Sequence, residues 1–164
     1  MDTRFEHRIA RDPALVEATL LSADFASALA QRCPVLAEAR VLDLVARGDA
    51  VERVTRLRAR AGALGGPFGL LPALAWTERV WWSRRAHEGR FEVTPELPSA
   101  LSQRVCCEGS YALLPDGDGA TLRRVDVALT IRAPWVAGAA EARIAGMLRA
   151  LFDAEAALLE RGDG

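Results

Sequence analysis

The chain has 164 residues, 51% of them apolar and 26% charged, the balance expected of one globular domain over residues 1–164 and not of a disordered chain. Its net charge is −1, so a nucleic-acid partner held by phosphate neutralisation is not expected. A chain of this length buries roughly two-thirds of its unfolded surface and needs no disulfide or metal staple.

The opening segment 3–10 alternates, with Phe5, His7 and Ile9 on one face, and predicts a strand. Asp12-Pro13 reads as the N-cap and first residue of a short helix carrying Leu15, Val16, Ala18 and Leu20. Ser22 is placed to cap a second helix, with Phe25, Ala28 and Leu29, that must end before Pro34. Segments 40–47 and 51–60 then flank the turn Gly48-Asp49, and segments 76–84 and 90–94 flank another near His87 and Gly89.

The clearest hairpin joins 104–114 to 121–132 through Pro115-Asp-Gly-Asp-Gly119. With Tyr111 opposite Val125, one face collects Val105, Cys107, Gly109, Tyr111, Val125, Val127, Leu129 and Ile131. The other carries Arg104, Glu108, Ser110, Arg124, Asp126 and Thr130. This is the pattern of an antiparallel sheet with one face buried. From about 139 to 161 the residues Ile144, Met147, Leu148, Leu151, Leu158 and Leu159 recur at helical spacing, opposite Glu141, Arg149, Asp153 and Glu160. That stripe needs a surface to cover, and the apolar sheet face is the one large enough.

Cys33, Cys106 and Cys107 are odd in number and lack CxxC spacing, and the adjacent pair would point to opposite faces of a strand. His7 and His87 belong to no ligand motif. Neither a structural metal nor a cofactor is expected, and free thiols fit a reducing, cytoplasmic compartment. Residues 1–11 are charged throughout, unlike a secretory signal. The longest uncharged stretch, 61–77, holds four Gly and two Pro and is too broken to span a bilayer. All 21 basic residues are Arg, Lys and Asn are absent, and Ile occurs three times. Joint depletion of this kind reads as codon usage in a GC-rich genome rather than as an anion-binding surface.

The order strand, two short helices, antiparallel strands and one long closing helix resembles the helix-grip fold of the START-like (SRPBCC) superfamily. At residue level, Val125-Asp-Val-Ala-Leu-Thr-Ile-Arg-Ala-Pro-Trp-Val-Ala-Gly138, with Glu141 and Ile144-Ala145-Gly146 after it, resembles the last strand and helix start of the bacterial domain-of-unknown-function family 2505. Leu21-Ser-Ala-Asp24-Phe25 resembles that family's entry to its second helix, and Trp76-Thr77-Glu78 its mid-sheet strand. The resemblance spans the chain and implies an α+β fold, a curved antiparallel sheet of six or seven strands wrapped around the C-terminal helix. It also implies a hydrophobic cavity between them. Members of the superfamily bind lipids, sterols, polyketides or other apolar molecules, and some are cyclases, aromatases or hydrolases. No activity, cofactor or catalytic residue is implied for this family.

The residues expected to line such a cavity are Trp76, Glu78, Val80, Trp82, Phe91 and Val93 on one hairpin and Cys107, Tyr111, Val127 and Leu129 on the other. Ile144, Leu148, Leu151 and Glu155 would face them from the closing helix. Periodicity does not distinguish a hollow interior from a filled one. Glu78 shares the inward alternation of its neighbours, and a buried carboxylate needs a partner, here Arg53 or Arg79, or it takes up a proton. Tyr111, the one tyrosine, could orient a ligand or satisfy a structural hydrogen bond. Segment 62–72 is rich in Gly and exposes Leu64, Phe68, Leu70 and Leu71 without a period, which suits a lid, a loose connection or transient membrane contact.

Three functions follow as expectations. The first is carriage of an apolar small molecule such as a lipid or polyketide, which needs no catalytic residue. The second is a cyclase- or hydrolase-type enzyme using Glu78 or Glu155 as acid and base. The third is a protein-interaction module with a solid interior.

Overall fold

Alternating side chains dictate most of the architecture, because each strand has one face that must be buried. The computed structural model describes residues 1–63, 74–132 and 137–162; all but the first two residues of segment 62–72, the candidate lid or membrane contact, lie outside them. The elements run β1 (Asp2–Ile9), α1 (Pro13–Leu20), α2 (Phe25–Arg32), β2 (Leu36–Arg47), β3 (Ala50–Ala59), β4 (Ala75–Ser83) and β5 (Glu88–Pro95). They continue through a single turn, α3 (Ser99–Ser102), to β6 (Val105–Pro115), β7 (Thr121–Ile131) and α4 (Ala137–Arg161). The seven strands form one antiparallel sheet in the order β1-β7-β6-β5-β4-β3-β2, and α4 packs against β1, β7, α1 and α2. This is the expected helix-grip arrangement.

Local chemistry sets the boundaries. The Asp12 carboxylate accepts from the Ala14 N–H, capping α1, and Pro13 occupies its first turn. Ser22 does not cap α2: Asp24 holds that position, without a side-chain bond, and the Ser22 hydroxyl has no partner among the described residues. Tyr111 pairs with Val125 as expected. Cys106 therefore faces solvent while Cys107 is buried, and all three cysteines are free.

The concave face is built in rows across the strands. One row reads Val41, Thr55, Glu78, Val93, Cys107, Leu129, from β2 to β7. The next reads Arg53, Val80, Phe91, Gly109, Val127, and the third Val51, Trp82, Gly89, Tyr111, Val125, Phe5. Two glycines sit where neighbouring rings lie flat across the strand. A methyl on Gly109 would meet the Asp126 carbonyl oxygen and come within 2.5 Å of the Phe91 ring, and one on Gly89 would come within 2.5 Å of Trp82. Gly109→Ala is therefore expected to lower stability by roughly 1–3 kcal/mol through overpacking, read as a lower thermal midpoint.

The opposite face is polar and solvated. Arg4–Asp126, Arg56–Glu96 and Arg124–Glu6 pair across strands there, and such exposed pairs contribute little each. An open groove of about 640 Å³ crosses this face between Arg4, Arg90, Glu92 and Glu108, on the wrong side of the sheet for a cavity under α4.

Candidate functional site

The concave face is not uniformly apolar. Arg53, Thr55, Glu78 and Arg123 are buried in it beside Tyr111, and Glu155 is buried on α4. Arg123 and Glu155, 0% and 4% exposed, form an ion pair between β7 and α4. The Arg123 guanidinium also donates to the Phe152 carbonyl (3.4 Å) and to His7 Nδ1 (3.3 Å), and lies over the rings of Tyr111 and Phe152. Because guanidinium has no acceptor, His7 Nδ1 accepts, and its Nε2 is left to donate to Asp153 at 2.9 Å.

Arg53 is fixed from the other side. Its Nη1 donates to the carbonyl of Leu20, the last residue of α1, at 2.5 Å, satisfying a helix-end carbonyl with no intrahelical partner. Its Nη2 stands 3.9 Å from Glu78 Oε1, to which the Tyr111 hydroxyl donates at 3.4 Å. Arg79, the other candidate partner, lies on the outer face beside Glu52.

Burial dominates the proton affinities here. It raises the Glu78 carboxyl above its ordinary range against the opposing pull of Arg53, Tyr111 and Arg123. It pushes Glu155 up to about 7 despite Arg123, the Cys107 thiol up to about 12 and the Tyr111 hydroxyl well above its usual value. Glu78 and Glu155 border one small void of about 10 Å³ with Arg53 and Thr55, walled by Phe25, Ala26, Leu29, Ala39 and Leu57. That is room for a single water-sized atom. Among the described residues, Arg53 Nε, Thr55 Oγ1 and Arg123 Nε have no hydrogen-bond partner.

The two ends of the interior differ. Tyr111 stacks at a tilt on Phe91 (5.0 Å between centroids) and Trp82 (6.4 Å) and meets Phe152 edge-on, while Phe152 packs on Phe5. With Val80, Val127 and Leu151 this half is a filled core. Toward the Val105–Ile131 pair, Val41, Leu74, Val93, Val105, Ile131, Ile144 and Leu148 remain half-buried. No described side chain of α4 is buried before Met147.

All fourteen residues named from the sequence thus lie on the concave face or the α4 face opposite it, but in three settings. Val80, Trp82, Phe91, Tyr111, Val127 and Leu151 are packed together. Glu78 and Glu155 join the charged cluster. Trp76, Val93, Cys107, Leu129, Ile144 and Leu148 flank the half-buried end. Sequence reasoning missed Arg123, Thr55, Phe152 and Glu17. Arg123 and Thr121 continue the inward alternation of Val125 and Val127, the signal that could have placed Arg123 inside. Glu17 shares the buried side of α1 with Pro13, Val16 and Leu20, and its Oε2 accepts from Trp82 Nε1 and His87 Nδ1, both at 2.8 Å.

Residues 4–161 match the protein-of-unknown-function family DUF2505. The chain belongs to that family. No curated protein matches it. Among solved structures it is similar to the aromatase/cyclase Zhui of a Streptomyces species, at 16% identity and TM-score 0.72, over 98% of this chain and 94% of that one. It is likewise similar to a Thermus thermophilus protein (16% identity, TM-score 0.69, 100% of both chains) and to a START superfamily protein of Mycobacterium smegmatis (16%, 0.66, 98% and 97%). At such identities the likeness establishes the START-like fold of this DUF2505 member and nothing about its substrate. Among its described residues no single helix is long and apolar enough to cross a membrane, and no group of three or more His, Cys, Asp or Glu could hold a metal ion.

Proposed function

We propose that this protein binds an apolar small molecule, lipid- or polyketide-like, at the half-buried end of the space between sheet and α4. The apolar body lies against Trp76, Val93, Cys107, Leu129, Ile144 and Leu148, and the packed aromatic half forms the floor. One observation carries the reading: a charged cluster sits inside an apolar interior with buried donors that have no partner among the described residues. Purely structural interiors satisfy nearly all such groups, and a few oriented polar groups in an apolar pocket are the usual make-up of a small-molecule site. The aromatase/cyclase name of one structural neighbour accords with such a use of the fold.

Burying a ten-carbon chain contributes ~8 kcal/mol, and association costs consume several of these, so micromolar binding is expected. Trp76 borders the half-buried end and Trp82 the packed one. Titration with an apolar ligand should therefore shift tryptophan emission in a saturable way. Trp76→Phe should lose most of the response and Trp82→Phe should keep it. The absence of any saturable response, and of an apolar adduct in native mass spectra of protein from its host, overturns the reading. The two carboxyls of raised proton affinity on one void favour a second reading, acid–base catalysis on the bound molecule. Glu78→Gln would then abolish turnover while leaving binding measurable.

A further inference from the structure

The small void inside the charged cluster bears on what the bound molecule carries at its polar end, an inference that rests on the binding reading above. We infer that the space among Arg53, Thr55, Glu78 and Glu155 is a site for one uncharged, hydrogen-bond-accepting oxygen, a carbonyl or hydroxyl, and that it discriminates against carboxylates. The observations are size, donors and charge.

At about 10 Å³ the void holds one oxygen-sized atom, whereas a carboxylate brings two. The groups without partners among the described residues are Arg53 Nε, which can only donate, and Thr55 Oγ1, which can donate. Arg53 and Thr55 are 5% and 4% exposed, so water from outside does not satisfy them. An accepting oxygen between them would complete both. With both carboxyls ionised the charge is already balanced: Arg53 stands by Glu78, and Arg123 pairs with Glu155. A further carboxylate would leave an unpaired negative charge in the interior, where desolvation penalises it most. Among the described residues the rest of the lining, Phe25, Ala26, Leu29, Ala39 and Leu57, is apolar and offers it no partner. Val41 and Val93 flank Thr55 and Glu78 in the same row, and both are half-buried. The polar site is therefore continuous with the apolar end that would hold the rest of the molecule.

The test compares three medium-chain probes of equal length, an alkane, a methyl ketone and a carboxylate, by displacement of an apolar fluorescent dye at about pH 8, where the carboxylate is ionised. The ketone should bind roughly tenfold more tightly than the alkane, the worth of one well-placed hydrogen bond, and the carboxylate more weakly than the ketone. Thr55→Val, nearly the same shape, should bring the ketone-to-alkane ratio toward one, with an unchanged circular dichroism spectrum reporting the fold. Equal affinities for ketone and alkane, the void then being a water site, overturn this inference alone, as does a preference for the carboxylate. Failure of all three probes to displace the dye, the alkane included, overturns the binding reading and this inference together.

Discussion

Replacing Arg123 by Met is expected to lower the unfolding free energy by roughly 3–5 kcal/mol above neutral pH, the usual result of stranding one member of a buried ion pair. Arg123 is wholly buried, and its partner Glu155 sits on α4 with no other cation paired to it among the described residues. At a denaturant slope of about 2 kcal/mol/M in urea, the midpoint should fall by roughly 2 M. Two controls make the result specific. As pH falls below about 7 the penalty should shrink, because the stranded carboxyl, whose proton affinity burial already raises, takes up a proton. Pairing Arg123→Met with Glu155→Leu should recover much of the loss, since apolar replacements of a whole buried pair are often neutral. A penalty that is independent of pH and survives in the double variant would place the cost in packing on Tyr111 and Phe152 instead.

The second large effect is a pH dependence of the wild type. Glu155 has its proton affinity raised by burial from an ordinary 4.5 to about 7, and Glu78 moves the same way for the same reason. A carboxyl raised in the folded state binds more protons there than in the unfolded chain. Its contribution is then fully present below about 4.5 and lost as pH rises through about 7. The rise in Glu155 corresponds to roughly 3 kcal/mol. Urea unfolding of wild type and Glu155→Gln across this window should show the wild type losing stability with rising pH and the variant losing less. Parallel curves would mean that Glu155 keeps its solution proton affinity.

Much of this was legible in the sequence, for a physical reason. Alternation along β4, β6 and β7 is strict because one face is covered, so the register of Tyr111 on Val125 and the inward turn of Glu78 could be read from spacing alone. The α1 cap was legible because Asp-Pro has a local role that needs no tertiary partner. Arg53 was legible as a partner for Glu78, from which it stands 3.9 Å. The Arg123–Glu155 pair was not, because Glu155 comes from α4, thirty-two positions beyond Arg123. Phe152, four residues beyond Leu148, keeps the helical spacing of the α4 stripe and is buried beside Leu151, so its burial was legible there as well. The division into a filled and a half-buried end depends on where α4 first touches the sheet, which periodicity does not encode.

The pairing of β2 on β3 is broken near the middle of the strand. The sheet ends at that strand, and its register on β3 shifts between Val41 and Asp43 while Leu42 stands 52% exposed. An unbroken strand there would offer evenly spaced amide and carbonyl groups to any extended chain that drifted past. The irregularity spoils that spacing, and the charges of Arg40 and Asp43 bracket the greasy residue. The border of the sheet at β2 is thereby a poor template for the addition of another strand.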